Sequence, residues 1–473
     1  MSVRVRIAPT PSGKLHLGTA HTALFNYLFA RHNQGKFILR IDDTDPKRCK
    51  PEFEEDIFIS LKWLGLEWDE GPDIGGLYAP YRQSQRMSHY RPYIEQLLKE
   101  GKAYYCYCTS EELAQEKREL QKKGLPLVYS GKCSHLTEAQ IKEYQKEGRK
   151  PSVRIRVSDK IVSFEDPARG KISVKTSEFR DFIIARSDGT ALLFFAVTVD
   201  DIEMKITHAI RGEDYLNIVP KQIVIFEALG VKPPIFAHLP FVYAQDGSKL
   251  SKRHGATAVT DYQKMGYLPD AIFNYLTLLG WSSGDDREVL SRKEIIKLFT
   301  LEKVNTNPHR FDINKLNWIN GHYIRNTPDK ELLPLIKSFL EFKAPDELLI
   351  KIIPLIKERI FKLTDVNDLV DFFFRDVSYD KKLLLKKASV DLVKQQLNLI
   401  NEILIAVNHW VTDEINKSML TLCDSNQWHR GQFFMLLRTA VTGKTITPPL
   451  AESMEILGKK KVLERISAAL SKI

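Results

Sequence analysis

Cysteine is scarce. The chain has five in 473 residues, unevenly spaced, so a disulfide-stapled scaffold is not expected. Long apolar runs are missing too. There is no stretch of about 18 apolar residues and no early apolar segment of signal-peptide type, which points away from a membrane-spanning or secreted protein. Nor is there an internal repeat or low-complexity tract. What remains is an ordinary globular chain, long enough for about three domains and a sizeable core. One excess stands out: 70 Lys and Arg against 60 Asp and Glu give a formal net charge of +10, with a pI near 9.1. That balance favours a polyanionic partner such as nucleic acid.

The stretch that organises the rest is residues 4–19, RVRIAPTPSGKLHLGT. Val3, Val5 and Ile7 predict a buried strand, which Pro9, Pro11 and Gly13 break as turn residues. Ala20, Ala23, Leu24, Tyr27 and Leu28 then recur at helical spacing and predict a helix over about 19–31. His16, Gly18 and Thr19 fall at its mouth, where free N–H groups and the positive dipole end suit phosphate. His16 would add a donor, and Gly18 would let a ligand approach the backbone; a plain βα turn with a surface histidine is the alternative. Residues 37–41 predict a second buried strand, ending in Asp42-Asp43-Thr44-Asp45. Acids beyond the carboxyl end of such a strand can hold an ammonium group. They can equally cap the helix predicted over about 51–64. Far downstream, Lys249-Leu250-Ser251-Lys252-Arg253 is a short cationic loop. Its lysines can neutralise a breaking triphosphate or simply face solvent.

Together, HLGT at the first βα turn and KLSKR downstream resemble the HIGH and KMSKS signatures of class I aminoacyl-tRNA synthetases. The surrounding words RIAPTPSGKLHLGTA, LRIDDTD, THAIRGEDYL and GSKLSKRHGA are similar to those of bacterial-type glutamyl-tRNA synthetases, over nearly the whole chain. The resemblance implies an α/β Rossmann-like catalytic domain over 1–83 and 193–240. An inserted α+β domain over 84–192 would grip the tRNA acceptor end. Residues 241–325 would carry the KMSKS loop and contact the stem, and 326–473 would form an all-helical anticodon-binding domain. The implied activity is ATP-dependent glutamate–tRNA ligation. Glutamate attacks the α-phosphate of ATP, and the 3′-terminal ribose of tRNA then takes the activated acyl group. ATP, Mg²⁺, L-glutamate and tRNA(Glu) follow as partners, with tRNA needed before activation. A monomeric cytoplasmic enzyme without a membrane partner is implied as well.

The resemblance also assigns roles. His16, Gly18 and Thr19 (Thr19 in place of the second HIGH histidine) would hold the ATP phosphates. Lys249 and, more strongly, Lys252 would neutralise pyrophosphate. Arg6, Ala8, Thr10 and Asp42 would line the amino-acid pocket. Asp42 stands where the family usually has Glu for the α-amino group, as in glutaminyl-tRNA synthetases, and Leu193 stands where a Tyr is frequent. Arg211 would read the γ-carboxylate, since a guanidinium pairs bidentately with it; an ion pair with Asp200, Asp201 or Glu213 is the alternative.

Cys106-Tyr-Cys108 and Cys133-Ser-His135 form a Cys3His set, the chemistry of closed structural zinc. Some bacterial glutamyl-tRNA synthetases carry zinc in this pattern; buried free cysteines with a surface histidine are the alternative. Alternating patterns predict strands around 153–157 and 172–174. Further strands are expected over 194–199 and 206–210, and helices over 261–279 and 292–299. After Pro328 the period is helical almost throughout, with Lys357 and Arg359 as anticodon candidates or as part of a solvated face. That tail and Arg211 disfavour a glutaminyl enzyme. They leave open a non-discriminating enzyme that also charges tRNA(Gln). The long helical tail with its basic balance disfavours a small-molecule nucleotidyltransferase, and the intact HLGT and KLSKR words disfavour a non-catalytic tRNA-binding paralogue.

Overall fold

A computed structural model describes residues 2–45, 47–248, 257–386 and 388–473. Lys249 and Lys252, the two lysines expected to act on the phosphates, lie outside them. The chain divides into two compact units: Met1–Tyr262 with Ile272–Asp312, and Gln263–Ala271 with Ile313–Ile473.

The first unit starts on β1 (Arg4–Ile7), α1 (Leu17–His32) and β2 (Lys36–Leu39). The strands pair in parallel, Arg4 opposite Lys36 and Ile7 opposite Leu39, as a helical crossover requires. Leu17, Ala20, Ala23, Leu24 and Leu28 bury one side of α1. Next come α2 (Pro51–Trp63), α3 (Met87–Lys99), β3 (Ala103–Cys106), α4 (Ser110–Lys122) and α5 (Glu138–Lys146). The strands β4 (Ser152–Ile155), β5 (Ile161–Asp166), β6 (Gly170–Lys175) and β7 (Phe182–Ala185) follow. β3, β4 and β7 make an antiparallel sheet, and β5 and β6 a hairpin.

The chain then returns as α6 (Leu193–Glu203), β8 (His208–Gly212), α7 (Val219–Ala228) and β9 (Ile235–Leu239). β8 and β9 are parallel, and the Thr207 amide donates to the Arg4 carbonyl (3.0 Å), joining this pair to β1. The strand expected over 194–199 is therefore a correction: those residues lie in α6. The run LFFAVTV is apolar but for Thr198, and a short, mostly apolar run carries no period to separate strand from helix. The helix matters to the site, because it buries the consecutive Asp200 and Asp201 together; on a strand they would point to opposite faces.

The second unit is helical from Ile313–Asn326 to Lys459–Leu470, around Leu397, Ile400, Phe433, Leu437, Val462 and Ile466, all fully buried. The single helical pattern expected over 261–279 is split at Gly266, which has φ +82°. A Cβ there would meet the amides of Leu363 and Thr364 at 2.8 Å. Lys357 donates to the Thr327 carbonyl and to Asp329, both at 2.7 Å; Arg359 is exposed.

Candidate active site and cysteine cluster

His16 is the N-cap of α1. Its Nδ1 accepts from the Thr19 amide (3.2 Å), and its Nε2 lies 3.0 Å from Thr19 Oγ1. Gly18 permits this, since a Cβ there would stand 3.1 Å from His16 Nδ1. The helix mouth thus opens beside an imidazole, with the dipole's positive end outward.

Below it lies a buried network of arginines and aspartates. Arg6 is bidentate on Asp201 (3.0 and 3.1 Å). Arg40 pairs with Asp42 (2.7 and 3.3 Å) and with Asp201 (3.0 Å). Arg86 pairs with Asp200 at 2.6 Å. Burial pushes the Asp42 carboxyl up to about 6, against the pull of Arg40. Of the other acids in its motif, Asp43 accepts from the amide and hydroxyl of Ser84 (2.8 and 2.6 Å), and Asp45 accepts from the Lys47 amide. Neither caps α2, whose N-cap is Lys50 with no side-chain hydrogen bond; Asp43 ties the end of β2 to Ser84, and Asp45 closes a local turn.

Arg211, near the end of β8, differs from its neighbours. The candidate partners are engaged elsewhere: Asp201 by Arg6, Asp200 by Arg86, and Glu213 by Arg169 (2.6 Å). Its Nε donates to His238 Nε2 (3.4 Å), its guanidinium lies 5.3 Å from the Tyr215 ring centre and 5.1 Å from that of Phe236, and its buried Nη2 has no hydrogen-bond partner among the described residues. Burial, reinforced by the charge of Arg6, pulls its pKa down to about 9.

Arg6, Ala8, Thr10, His16, Gly18, Thr19, Asp42 and Arg211 all line one cavity of about 310 Å³. Leu193 lines it too, and so does Tyr215. Sequence reasoning missed Arg40 and Tyr215. Arg40 stands inside LRIDDTD, a word read for its acids, and Tyr215 follows Arg211 by four residues, a spacing that placed it nowhere until the strand was seen to end at Gly212.

A family model described as "tRNA synthetases class I (E and Q), catalytic domain" matches residues 2–318. A second, "Anticodon binding domain", matches 331–470. Glutamate–tRNA ligase 2 of Thermoanaerobacter pseudethanolicus is 45% identical over 480 residues, covering 99% of this chain and 98% of that one. The glutamate–tRNA ligase of Sulfurihydrogenibium sp. is 44% identical over 479 residues, covering 99% of each. The chain belongs to the glutamate–tRNA ligase family. Among solved structures, a glutamate tRNA ligase from Elizabethkingia meningosepticum, crystallised in complex with its amino acid, matches with a TM-score of 0.91 at 36% identity, covering 100% of this chain and 99% of that one. This ligase therefore has the class I catalytic fold followed by a helical anticodon-binding domain, as its sequence words imply.

The ligase also brings three thiols together. Cys106 at the end of β3, Cys108 and Cys133 place their sulfurs within 4.8 Å of one another. His135, the expected fourth donor, is exposed and is not in this group. The turn closed by the Ser134 amide on the Gly131 carbonyl (2.8 Å) faces Cys133 inward and leaves His135 outside. An oxygen is there instead. Tyr129 Oη lies 3.5 Å from Cys108 Sγ and 3.6 Å from Cys106 Sγ, and accepts from the Cys133 amide at 2.8 Å. Arg154 Nε sits 3.2 Å from Cys106 Sγ, with its guanidinium 3.8 Å from the Tyr129 ring centre. Hydrogen bonds from Cys108 and Cys133, then Arg154, hold the Cys106 thiol well below its ordinary range.

Proposed function

We propose that this chain activates L-glutamate with ATP and transfers it to the 3′ end of tRNA(Glu). Arg211 carries the reading. A buried guanidinium whose Nη2 has no partner among the described residues, its charge opposed by burial and by Arg6, gains most from a carboxylate, which it can grip bidentately. A glutamine amide would leave that charge uncompensated.

With the γ-carboxylate on Arg211 and the ammonium toward Asp42, the α-carboxylate is left facing the mouth of α1. There His16, Gly18 and Thr19 would hold the ATP phosphates. A carboxylate oxygen bonds to the α-phosphorus as the bond to the bridging oxygen breaks, and pyrophosphate leaves. Lys249 and Lys252 would neutralise it, and Mg²⁺ bound with ATP supplies further charge screening. The ribose hydroxyl of tRNA then attacks the acyl carbon and AMP departs. Such a reaction needs positioning and preorganised charge above all. Residues 84–192 would grip the acceptor end, and the helical region from 326 onward would read the anticodon.

The cysteine cluster fits a structural zinc site. Three thiolates and the Tyr129 oxygen make four donors, and Arg154 offsets the surplus negative charge. A zinc ion held there would cross-link the end of β3 to the 129–133 turn, with no open position for water. No described helix is long and apolar enough to cross a membrane, and we read the enzyme as monomeric and cytoplasmic.

The test is aminoacylation of purified glutamate and glutamine tRNAs, each offered labelled glutamate and labelled glutamine. Glutamate on tRNA(Glu) alone is the expected result. Glutamate on both tRNAs would mark a non-discriminating enzyme. Glutamine uptake, or no charging at all, would overturn the reading.

A further inference from the structure

We infer that Asp166 and His238 are positioning residues for Arg211, forming a buried carboxylate–imidazole–guanidinium chain that sets the plane of the substrate-binding fork. The inference rests on the reading of Arg211 as the partner of the γ-carboxylate. Arg211 and His238 are register partners on the parallel strands β8 and β9, so their side chains leave the same face of the pair side by side. Asp166, the last residue of β5, approaches from the hairpin. Its Oδ2 accepts from the His238 amide (3.1 Å) and faces His238 Nδ1 (2.8 Å), while its Oδ1 accepts from the amides of Ala168 (2.9 Å) and Arg169 (3.2 Å). Both side chains are fully buried.

This geometry selects one tautomer. Nδ1 must carry the proton to donate to Asp166, so Nε2 presents its lone pair to the Arg211 Nε–H (3.4 Å). A proton on Nε2 would set two N–H groups against each other. Burial holds the His238 pKa below its ordinary value, and the charge of Arg211 adds to this, in keeping with a neutral ring. With Nε fixed, Nη2 is the nitrogen left buried without a partner among the described residues. The flanking rings of Tyr215 and Phe236 pack on the guanidinium but leave its in-plane rotation free; the His238 hydrogen bond removes that freedom. Arg169 braces the same strand end, donating to the His238 carbonyl (3.3 Å) and to Glu213 (2.6 Å).

The experiment measures pyrophosphate exchange by the full chain with tRNA(Glu) present. It compares KM for glutamate and for ATP in the wild type, His238→Leu, His238→Gln and Arg211→Leu. His238→Leu should raise the glutamate KM about 10- to 100-fold, the range for one hydrogen bond to a charged group, with the ATP KM unchanged. His238→Gln, whose amide oxygen can accept from Arg211 Nε, should recover most of the loss. Nitrogen-15 spectra of histidine-labelled wild type should show the Nδ1–H tautomer for the resonance that His238→Gln removes. An unchanged glutamate KM in folded His238→Leu, an equal rise in both KM values, or an Nε2–H tautomer would overturn the chain. Should His238→Leu not fold, the tautomer and His238→Gln decide. If Arg211→Leu abolishes glutamate use while folded His238→Leu is silent, only the positioning chain fails. If Arg211→Leu itself leaves the glutamate KM unaltered, the carboxylate reading fails first.

Discussion

Two arginines in different parts of the molecule are buried alike and built differently. Arg211, in the cavity of the first unit, is 6% exposed; Arg465, in the helical unit, is 5% exposed. Burial lowers the pKa of both. Arg465 spends its guanidinium on the chain, donating to the carbonyls of Val441 (2.9 Å), Phe372 (2.6 Å) and Arg375 (3.2 Å). Arg211 has one hydrogen bond to a neutral ring and a buried nitrogen with no partner among the described residues. Burial by itself therefore says nothing about function. What separates a structural charge from a binding charge is whether the protein has completed its hydrogen bonds. The cysteine cluster offers the same contrast with the sign reversed: three sulfurs converge within 4.8 Å, a set that could take a cation as Arg211 could take a carboxylate.

The sharpest way to break this comparison is Arg211→Leu. Losing the buried partner of a substrate charge should lower kcat/KM for glutamate about 10³-fold, while the thermal midpoint holds or rises because an uncompensated buried charge is gone. Pyrophosphate exchange alongside a melting curve reads both. Lys252→Ala should slow glutamate activation about 10²- to 10³-fold, the range for one preorganised charge-stabilising group; a near-unchanged exchange rate with tRNA present would remove Lys252 from the mechanism. Arg465→Met should do the reverse of Arg211→Leu. Its carbonyls lose a charged donor, which should cost about 3 kcal/mol of stability, while activity per folded molecule stays near wild type. Denaturant titration with active-site counting distinguishes the two.

A smaller effect separates the fourth donors. Tyr129→Phe should weaken zinc binding about tenfold, and His135→Ala should not change it, as read by competition with a chromogenic chelator. The last effect concerns pH. The folded Asp42 pKa of about 6 lies above the ordinary carboxylate value, so between about pH 4 and 6 the folded state binds more protons than the unfolded one. This group's contribution to stability therefore falls as pH rises through that window, and Asp42→Asn should flatten that part of the stability profile.

Much of the site was legible because its residues sit in compact words at strand ends. HLGT, the acids after β2 and the arginine after Ile210 announced a cavity that their backbone placement then closed. Three features were not legible, each for a physical reason. The helix α6 hid behind a nearly continuous apolar run. The oxygen beside the three sulfurs comes from Tyr129, four residues before Cys133, while His135, two after it, is exposed, because the turn around Ser134, not the spacing, decides which side chain faces in. Asp166 and His238 are 72 residues apart, and no local pattern connects a hairpin end to a strand in the next βα unit.

Asp200 sets the terms on which the segment before it hangs from the rest. Its carboxylate takes Gln83 Nε2 at 2.9 Å, Arg86 Nε at 2.6 Å and Tyr90 Oη at 3.2 Å, so the outgoing and returning legs of the chain, 114 residues apart at Arg86, are clasped where they meet. A segment held at a closed neck can lengthen, shorten or be exchanged beyond the clasp without disturbing the strands beneath it. In evolutionary terms this neck is a splice point, where the segment beyond it can be refitted while the cavity beneath is inherited intact.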